Sequence, residues 1–335
     1  MAPPAQVISG DVSHAPLFAR GVAFSAFTDV NEQARSFDGW HLHYTQISGG
    51  SFHGSSSTLT LGGIRLLMES LDKVILQQGA VPNDRLALAV PLELEGHARM
   101  CGERSERDSL HVFSSLPEFE FYSPDHHVLV NVEVEPEKLL SEPMRVLATS
   151  LRAKALAPVI PMPAESAENL RTLLQHAMRA STDSSAVQSE EAYGRLELLE
   201  RTIIYALSEV LVETPAAASG ARTTKHWALV NSVQEKLEDS STCPLSIAEL
   251  CVQLGLSRRT LQYAFHDALN LNPVAYLRAV RLNNVRRELR HGESVTFAAT
   301  KWGFWHLGTF AQDYRNMFGE LPSATLKRYA RKDSN

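Results

Sequence analysis

The last hundred residues repeat one short pattern: a brief amphipathic helix, a glycine-centred break and a second, capped helix. The pattern first occurs over 244–269, where Ser246 is the predicted N-cap and Glu249 stands three residues later, at the capping-box position. Gly255 can adopt the left-handed turn, and Ser257 is placed to cap the second helix. This order of elements is typical of a helix-turn-helix unit.

The same pattern returns over 295–318, with its turn at Gly303 and its second helix starting near His306. Asn272, which stands before a proline, predicts the start of a longer helix that sets the spacing of the two units. We therefore predict that 225–330 is an all-α domain in which a long helix joins two helix-turn-helix units.

The charges of the chain are divided unequally between its two parts. Residues 222–335 hold 16 basic and 10 acidic residues, a net charge of +6, whereas residues 1–221 have a net charge of −12. The whole chain therefore has a net charge of only −6. An asymmetry of this kind indicates that the basic part binds a polyanion.

The N-terminal part shows a different pattern, in which short alternating runs lie between glycine, serine and proline turns. Such runs occur at 40–44, 57–61 and 128–134, and alternation of this kind predicts half-buried strands. We therefore predict a β-rich domain over 1–160, either cupin-like or a sandwich. Together with the C-terminal helices, it makes the fold class α+β.

Helical periodicity follows in 161–213, where apolar residues recur at steps of three and four in two stretches, 165–180 and 196–211. These helices either close the N-terminal core or form the seam of a homodimer, and the pattern leaves both open. The small and polar segment 214–224 is predicted to be a flexible linker.

The C-terminal pattern also carries specific residues in both units. In the second unit they are Ala298, Ala299, Gly303, Phe304, Phe310, Tyr314, Phe318, Gly319, Pro322 and Ser323. In the first unit they are Leu256, Ser257, Leu261, Phe265, Pro273, Tyr276, Leu277 and Arg278. With these residues, 225–328 resembles the DNA-binding domain of AraC/XylS-type transcription regulators. The run 304–308 is similar to the ethanolamine-utilisation-regulator branch, and 40–54 resembles the opening of that branch's effector domain.

The resemblance implies a bacterial, sequence-specific regulator that binds two adjacent major-groove half-sites of double-stranded DNA. It also implies control by a small-molecule effector in the N-terminal domain and recruitment of RNA polymerase, with activation as the expected direction. A constitutive dimeric DNA-binding protein without an effector is the main alternative.

The residues expected to read DNA follow the cap of each second helix, because the first two turns of a recognition helix face the base edges. In the first unit they are Arg258, Arg259, Gln262 and Tyr263. Arginine pairs with guanine and glutamine with adenine, and the resemblance places Arg259, Gln262 and Tyr263 at base-contacting positions. We expect Arg259 and Gln262 to contribute most.

The second unit offers fewer hydrogen-bonding groups at the corresponding positions, namely His306, Thr309, Gln312 and Arg315. Trp305 is interpreted there as a packing residue. We therefore expect the first unit to carry most of the sequence discrimination and the second to contribute contacts to the backbone and to DNA shape.

A ligand pocket in the β-rich domain is predicted from aromatic and polar residues that lie close together in the sequence. The candidates are Trp40, His41, His43, Tyr44, Gln46 and Phe52. The three aromatic residues could equally be packed core. The acidic N-terminal part suits a cationic effector such as an amine.

A cupin-like metalloenzyme domain fused to a DNA-binding domain is the third hypothesis. His41 and His43 point to one face of a strand and could bind a metal with His53, His97 or His111. The carboxylate that a cupin motif places after such a pair is missing, and no nucleophile or phosphate-loop motif occurs. We therefore predict no catalytic residue, no bound metal and no cofactor.

Composition supports a cytoplasmic location. The three cysteines lack the CxxC spacing of a zinc site, and their odd number does not suit a disulfide framework. No apolar run approaches the roughly 18 residues of a membrane span, and the first residues do not resemble a secretory signal. We predict a cytoplasmic protein without a membrane segment.

Overall fold

The computed structural model describes residues 22–114, 117–180, 190–213, 225–239 and 245–332. The predicted linker 214–224 lies outside these ranges, as does Pro244 at the start of the predicted first unit.

The described part of the N-terminal domain forms two antiparallel sheets from twelve strands. The strands are β1 (Ala23–Phe27), β2 (His41–Gln46), β3 (Gly54–Leu61), β4 (Ile64–Leu71), β5 (Ile75–Ala80), β6 (Leu86–Leu94), β7 (Ala98–Met100), β8 (Glu103–Ser105), β9 (Ser109–Val112), β10 (Phe119–Tyr122), β11 (His127–Val134) and β12 (Val159–Pro161). The seven-stranded sheet has the order β1-β3-β4-β11-β6-β9-β12, and the five-stranded sheet has the order β2-β5-β10-β7-β8.

The seven-stranded sheet is buried on both faces, which explains the long apolar runs of its central strands. On one face, Leu88 and Val132 belong to a cluster shared with the neighbouring helices. On the other, Leu67 and Leu129 pack with Phe121 of the five-stranded sheet. The two sheets therefore enclose a core between them, as the predicted β-rich domain requires.

Among its described residues this domain has four helices: α1 (Val30–Ala34), α2 (Glu142–Ala153), α3 (Ala164–Ala180) and α4 (Glu190–Glu213), with a 3₁₀ turn at Pro136–Lys138. Leu170, Leu174 and Ile203 pack against the seven-stranded sheet, so α3 and α4 cover the sheet as one of the two sequence interpretations requires. The opposite side of α4 exposes Leu198, Tyr205 and Val212, which recur every seven residues.

The C-terminal region contains seven helices within the described ranges: α5 (Lys225–Asp239), α6 (Ile247–Gln253), α7 (Arg258–Leu269), α8 (Pro273–Arg290), α9 (Val295–Lys301), α10 (Leu307–Phe318) and α11 (Pro322–Lys332). The predicted α+β class, with a β-rich domain before a helical one, is confirmed. None of the described helices is both long and apolar enough to cross a membrane.

The two domains share one hydrophobic cluster. Ile47, Leu76 and Tyr122 of the N-terminal domain pack with Phe265 and Leu282 of the C-terminal helices. The Tyr122 hydroxyl also donates a hydrogen bond of 3.0 Å to the Leu269 carbonyl at the end of α7. The five-stranded sheet therefore supports the helical domain directly.

Candidate nucleic-acid interface

The first helix-turn-helix unit is built by α6 and α7. The Glu249 N–H donates to the Ser246 hydroxyl at 3.2 Å, and the Ser246 N–H donates to the Glu249 carboxylate at 2.7 Å, so the predicted capping box is present. Gly255 has a φ of 64° at the turn. Ser257 accepts a hydrogen bond of 3.0 Å from the Thr260 N–H and so caps α7 as the sequence predicts.

The exposed face of α7 carries all four residues predicted to read DNA from this unit. Arg258, Arg259, Gln262 and Tyr263 are exposed, whereas Phe265 on the opposite face is fully buried. The Arg259 guanidinium carbon lies 5.4 Å from the centre of the Tyr263 ring, and its Nη2 donates to the Tyr263 hydroxyl at 3.2 Å. This contact restricts the Arg259 side chain, so less conformational freedom is lost when it pairs with a base.

The second unit is built by α9 and α10. His306, Thr309, Gln312 and Arg315 all lie exposed along α10. His306 is the N-cap residue, but its side chain makes no capping hydrogen bond. This helix end therefore lacks the serine cap of α7 and presents backbone N–H groups of the kind that suit a phosphate.

Trp305, immediately before α10, has 74% of its surface exposed. The interpretation of Trp305 as a packing residue is therefore wrong. In contrast, Trp302 is half-buried against the helical core. Trp305 adds a large apolar surface beside the four polar candidates of the second unit.

The arginines of α8 bind other residues of the protein and do not extend the exposed faces of α7 and α10. Arg278 pairs with an aspartate of α10, and Arg281 donates to a backbone carbonyl before α6. Arg286, Arg287 and Arg290 all reach the N-terminal domain. Much of the positive charge of α8 is therefore used inside the molecule, which its sequence does not indicate.

Asp29 is the centre of the ionic contact between the two domains. Its carboxylate accepts hydrogen bonds of 2.9 Å from Arg286 Nε and 2.7 Å from an Arg290 nitrogen. Burial alone would raise the pKa of Asp29, but the two guanidinium groups outweigh burial and hold it below its usual value. Asp29 and Arg286 are 1% and 3% exposed, so the pairs are shielded from water.

A second set of contacts joins the N-terminal domain to the end of the second recognition helix. The Gln46 amide nitrogen donates to the Met317 carbonyl at 2.8 Å, and the Gly50 N–H donates to the Asn316 carbonyl at 2.9 Å. These carbonyls belong to the last turn of α10. The carbonyl groups in the last turn of a helix have no N–H donor within the helix itself. The N-terminal domain therefore caps α10 from outside.

Gln46 and Asn283 complete this junction. The Gln46 N–H donates to Asn283 Oδ1 at 3.1 Å, and Asn283 Nδ2 donates to the Gln46 carbonyl at 2.8 Å. Asn283 lies in the middle of α8, where a buried asparagine needs partners. Neither Asp29 nor Asn283 lies in a sequence pattern that indicates a functional residue.

The six predicted effector residues do not form one site. Trp40 lies in the core between the sheets, and Tyr44 and Phe52 lie in a smaller core cluster beside α1. Gln46 is used at the domain junction. His41 and His43 line a cleft together on the outer face of β2, whereas the three aromatic residues lie in packed core clusters.

That cleft has a volume of about 800 Å³ and lies between the outer face of the five-stranded sheet and α5. Its lining includes Gln78 and Glu120 from the sheet and Trp227 and Asn231 from α5. The size falls in the range typical of small-molecule sites, about 300–1,000 Å³. α5 was not singled out as a helix from the sequence, although Trp227, Val230 and Val233 follow a three-residue step.

The histidines are dispersed through the N-terminal domain. His53 is exposed beside Asp72, His97 lies within 2.8 Å of the Ala268 carbonyl, and His111 is buried beside Ser105. His127 is fully buried, and burial lowers its pKa to about 3. Within the described ranges, no group of three or more potential ligands is placed to hold a metal ion.

Two short helix pairs, each with an exposed second helix, are joined by one long helix, and this arrangement defines a helix-turn-helix protein of the DNA-binding class. Residues 250–328 match the helix-turn-helix domain family. This match covers the end of α6 and all of α7 to α10, which are the helices described above.

Named relatives match over about 100 residues of the chain. The "Probable thc operon regulatory protein" of Rhodococcus erythropolis is 34% identical over 103 residues, 30% of this chain and 31% of that protein. The "XylDLEGF operon transcriptional activator 3" of Pseudomonas putida is 36% identical over 100 residues, 29% of this chain and 30% of that protein. The chain thus spans about a third of the length of these curated relatives.

A solved structure titled as a probable AraC family transcriptional regulator from Rhodopseudomonas palustris is 39% identical. The match covers 30% of this chain and 97% of that one, with a TM-score of 0.28. By its C-terminal hundred residues, the chain belongs to the AraC family of helix-turn-helix transcriptional regulators.

Proposed function

We propose that this protein is a transcription activator that binds two adjacent major-groove half-sites through α7 and α10. The observation that carries the proposal is the exposure of polar and basic side chains along both second helices, each on a unit with a buried apolar core. The net charge of +6 over 222–335 favours the approach to DNA phosphates.

The two units make different kinds of contact with DNA. Arg259 and Gln262 of α7 read base edges, with Arg258 and Tyr263 beside them, because arginine and glutamine offer paired hydrogen bonds to purines. The α10 residues named above contribute backbone contacts, and Trp305 contributes an apolar contact to the groove. The likeness to the ethanolamine-utilisation branch stays a prediction.

We further propose that a small-molecule effector bound to the N-terminal domain controls DNA binding, and that the bound protein recruits RNA polymerase. The contacts of the N-terminal domain with α8 and with the end of α10 support this, since a ligand that shifts them alters the placement of α10. Because a bacterial regulator must reach the chromosome to bind it, we propose that the protein is cytoplasmic.

The exposed stripe on α4 supports a homodimer. Leu198, Tyr205 and Val212 follow a seven-residue spacing on the side of α4 that faces away from the sheet, and such a stripe suits packing against a second copy. Sedimentation of the Tyr205→Glu variant tests this: we expect monomers where the unmodified chain forms dimers. A chain that is monomeric without the substitution removes the proposal.

The test of the proposed function is a footprint on DNA upstream of the protein's own gene at near-physiological salt. We expect two protected half-sites about one helical turn apart. Protection that smears and disappears with salt, without discrete half-sites, would contradict sequence-specific binding. Footprints made with and without candidate effectors separate the controlled regulator from a constitutive one.

A further inference from the structure

The cleft between the outer face of the five-stranded sheet and α5 has a lining that selects for one sign of charge. We propose that this cleft binds a small organic cation, an alkylamine or diamine, and that it is the site of the effector. The inference rests on the proposed effector control and names the place and the chemical class of that ligand.

The charge of the lining favours a cation. Three carboxylate side chains line the cleft, Glu118 and Glu120 around β10 and Glu235 on α5, while none of the described lining residues is lysine or arginine. His43, on the same wall, does not add a positive charge at neutral pH. Burial, and then the charge of Arg287, lowers its pKa to about 4.

The hydrogen-bonding groups of the lining favour a ligand that donates. Asn231 lines the cleft, and its buried Oδ1 has no hydrogen-bond partner among the described residues. A buried acceptor without a donor is costly, and the N–H groups of an ammonium supply donors only. Gln78 Nε2 donates to Glu120 Oε2 at 3.3 Å, so on the sheet wall, across the cleft from Asn231, it helps to orient a carboxylate.

The lining also has an apolar part. Trp227 of α5 contributes aromatic surface, and Leu42, Gly79 and Phe119 of the sheet are among the other lining residues. Aromatic faces attract ammonium groups and also pack against methylene chains. A short alkylamine combines these two properties, whereas a dicarboxylate would meet three like charges and a neutral diol would leave the carboxylates without a counter-charge.

The position of the cleft gives such a ligand a direct connection to the helical domain. Its walls come from both domains, because β2, β5 and β10 form one side and α5 forms the other. α5 packs closely on α7, the first recognition helix, within one hydrophobic cluster. A cation that bridges Glu120 and Glu235 would therefore change the restraint on α5 relative to the sheet.

The experiment is calorimetric titration of the full-length chain with butylamine, 1,4-diaminobutane and spermidine, and with 1,4-butanediol and succinate as uncharged and anionic controls. We expect saturable binding of at least one amine and at least tenfold weaker binding of both controls. Glu120→Gln combined with Glu235→Gln should weaken amine binding at least tenfold. Glu137→Gln, an exposed site on a distant turn, should leave it unchanged.

Two results would overturn the inference: the unmodified chain binds none of the three amines, or the paired substitution binds them as tightly as Glu137→Gln does. Because the comparison between amines and their neutral and anionic analogues uses the unmodified chain, it stands even if the double variant fails to fold. DNA footprints of the same preparations are read separately. If the chain binds amines but protects no half-sites on DNA, the proposed regulatory function is wrong and the cation site still stands.

Discussion

At the scale of single residues, environment rather than residue type decides what an arginine does in this protein. Arg259 stands on an exposed helix face and contacts only its neighbour one turn away among the described contacts. Arg286 has the same side chain, but it is buried against Asp29 and lies 4.5 Å from the centre of the Phe318 ring. The first is suited to an external partner and the second to holding two domains together.

Replacing Arg259 with alanine should reduce operator affinity by about 1–3 kcal/mol and relax the preference at one base pair, because one paired contact to a base is lost. Titration of the variant against the operator and against singly substituted operators checks both effects. Arg104→Ala is the control, since Arg104 is exposed on β8 in the N-terminal domain. An unchanged footprint and affinity for Arg259→Ala would exclude base reading by this residue.

Glu69 is a buried acid whose ionisation opposes folding. Burial raises its pKa to about 7, although Tyr44 and Gln33 each donate to its Oε1 at 3.0 Å. Its ordinary pKa is 4.5. Between those two values the folded chain keeps a proton that the unfolded chain has released. The contribution of Glu69 to stability is therefore complete below about pH 4.5 and is lost as the pH rises to about 7.

Glu69→Gln should remove this pH dependence, because glutamine stays neutral and keeps an acceptor oxygen for Tyr44 and Gln33. The unfolding free energy of the variant minus that of the unmodified chain should rise by on the order of 1–3 kcal/mol when the pH is raised from 5 to 8. Urea denaturation at both pH values measures it, with the exposed Glu95→Gln as control. Parallel pH profiles for the unmodified chain and Glu69→Gln would show that Glu69 is ionised in the fold.

At the scale of elements, local signals in the sequence locate helix ends well. Ser246, Gly255 and Ser257 act at the cap and turn positions where the sequence places them, because these devices involve residues only three or four apart. α11 was not predicted, although Pro322 is a helix-starting residue in its first turn. For the aromatic residues at 40–52 the sequence leaves both a pocket and a packed core open, because strand alternation does not distinguish an enclosed core from a ligand cavity.

Gly255 and Gly319 have similar left-handed backbone conformations but different surroundings. Comparing them distinguishes the cost of the backbone conformation from the cost of disturbing a contact between the domains. Gly255 has a φ of 64°, and a Cβ added there meets no atom within 4 Å. Gly319, which ends α10, has a φ of 73°, but its Cβ would lie 3.0 Å from the Ser51 Cβ and closer to its hydroxyl. Ser51 belongs to the N-terminal domain, so only the second site joins a turn to the domain junction.

Gly255→Ala should therefore cost only the left-handed conformation, about 1–2 kcal/mol in unfolding free energy. Gly319→Ala should cost more, because the 48–51 loop must also move away and weaken the hydrogen bonds that cap α10. Chemical denaturation of both variants measures the difference. Equal losses at the two sites would mean that the loop yields freely and that the junction adds nothing to stability.

At the scale of the whole molecule, the structure joins residues that are far apart in the sequence. Asp29 meets Arg286 and Arg290, and Gln46 meets Asn283, over more than 230 intervening residues. No local pattern encodes such pairs. The sequence therefore predicts the two domains but not the contacts that join them. The contacts fall on the C-terminal half of α8 and the end of α10, so the position of the second unit depends on the N-terminal domain.

Asp29→Asn tests whether these ion pairs hold the domains together. The variant keeps an oxygen that can cap α1, as Asp29 does through the N–H groups of Asn31 and Glu32, but it loses the charge that compensates Arg286 and Arg290. Breaking a buried pair in this way costs about 3–5 kcal/mol. Asp38→Asn, at an exposed aspartate that pairs with Arg65, should have little effect.

The readout for Asp29→Asn is hydrogen exchange of two amides. The Gln46 N–H bonds to Asn283 across the junction, whereas the amide of Val130 lies in β11, at the centre of the seven-stranded sheet. We expect the substitution to speed exchange at Gln46 and to leave Val130 protected, because opening of the junction does not require unfolding of the sheet. Unchanged protection at Gln46 would show that the shared hydrophobic cluster alone holds the domains, and equal loss at both amides would show that they unfold as one cooperative unit.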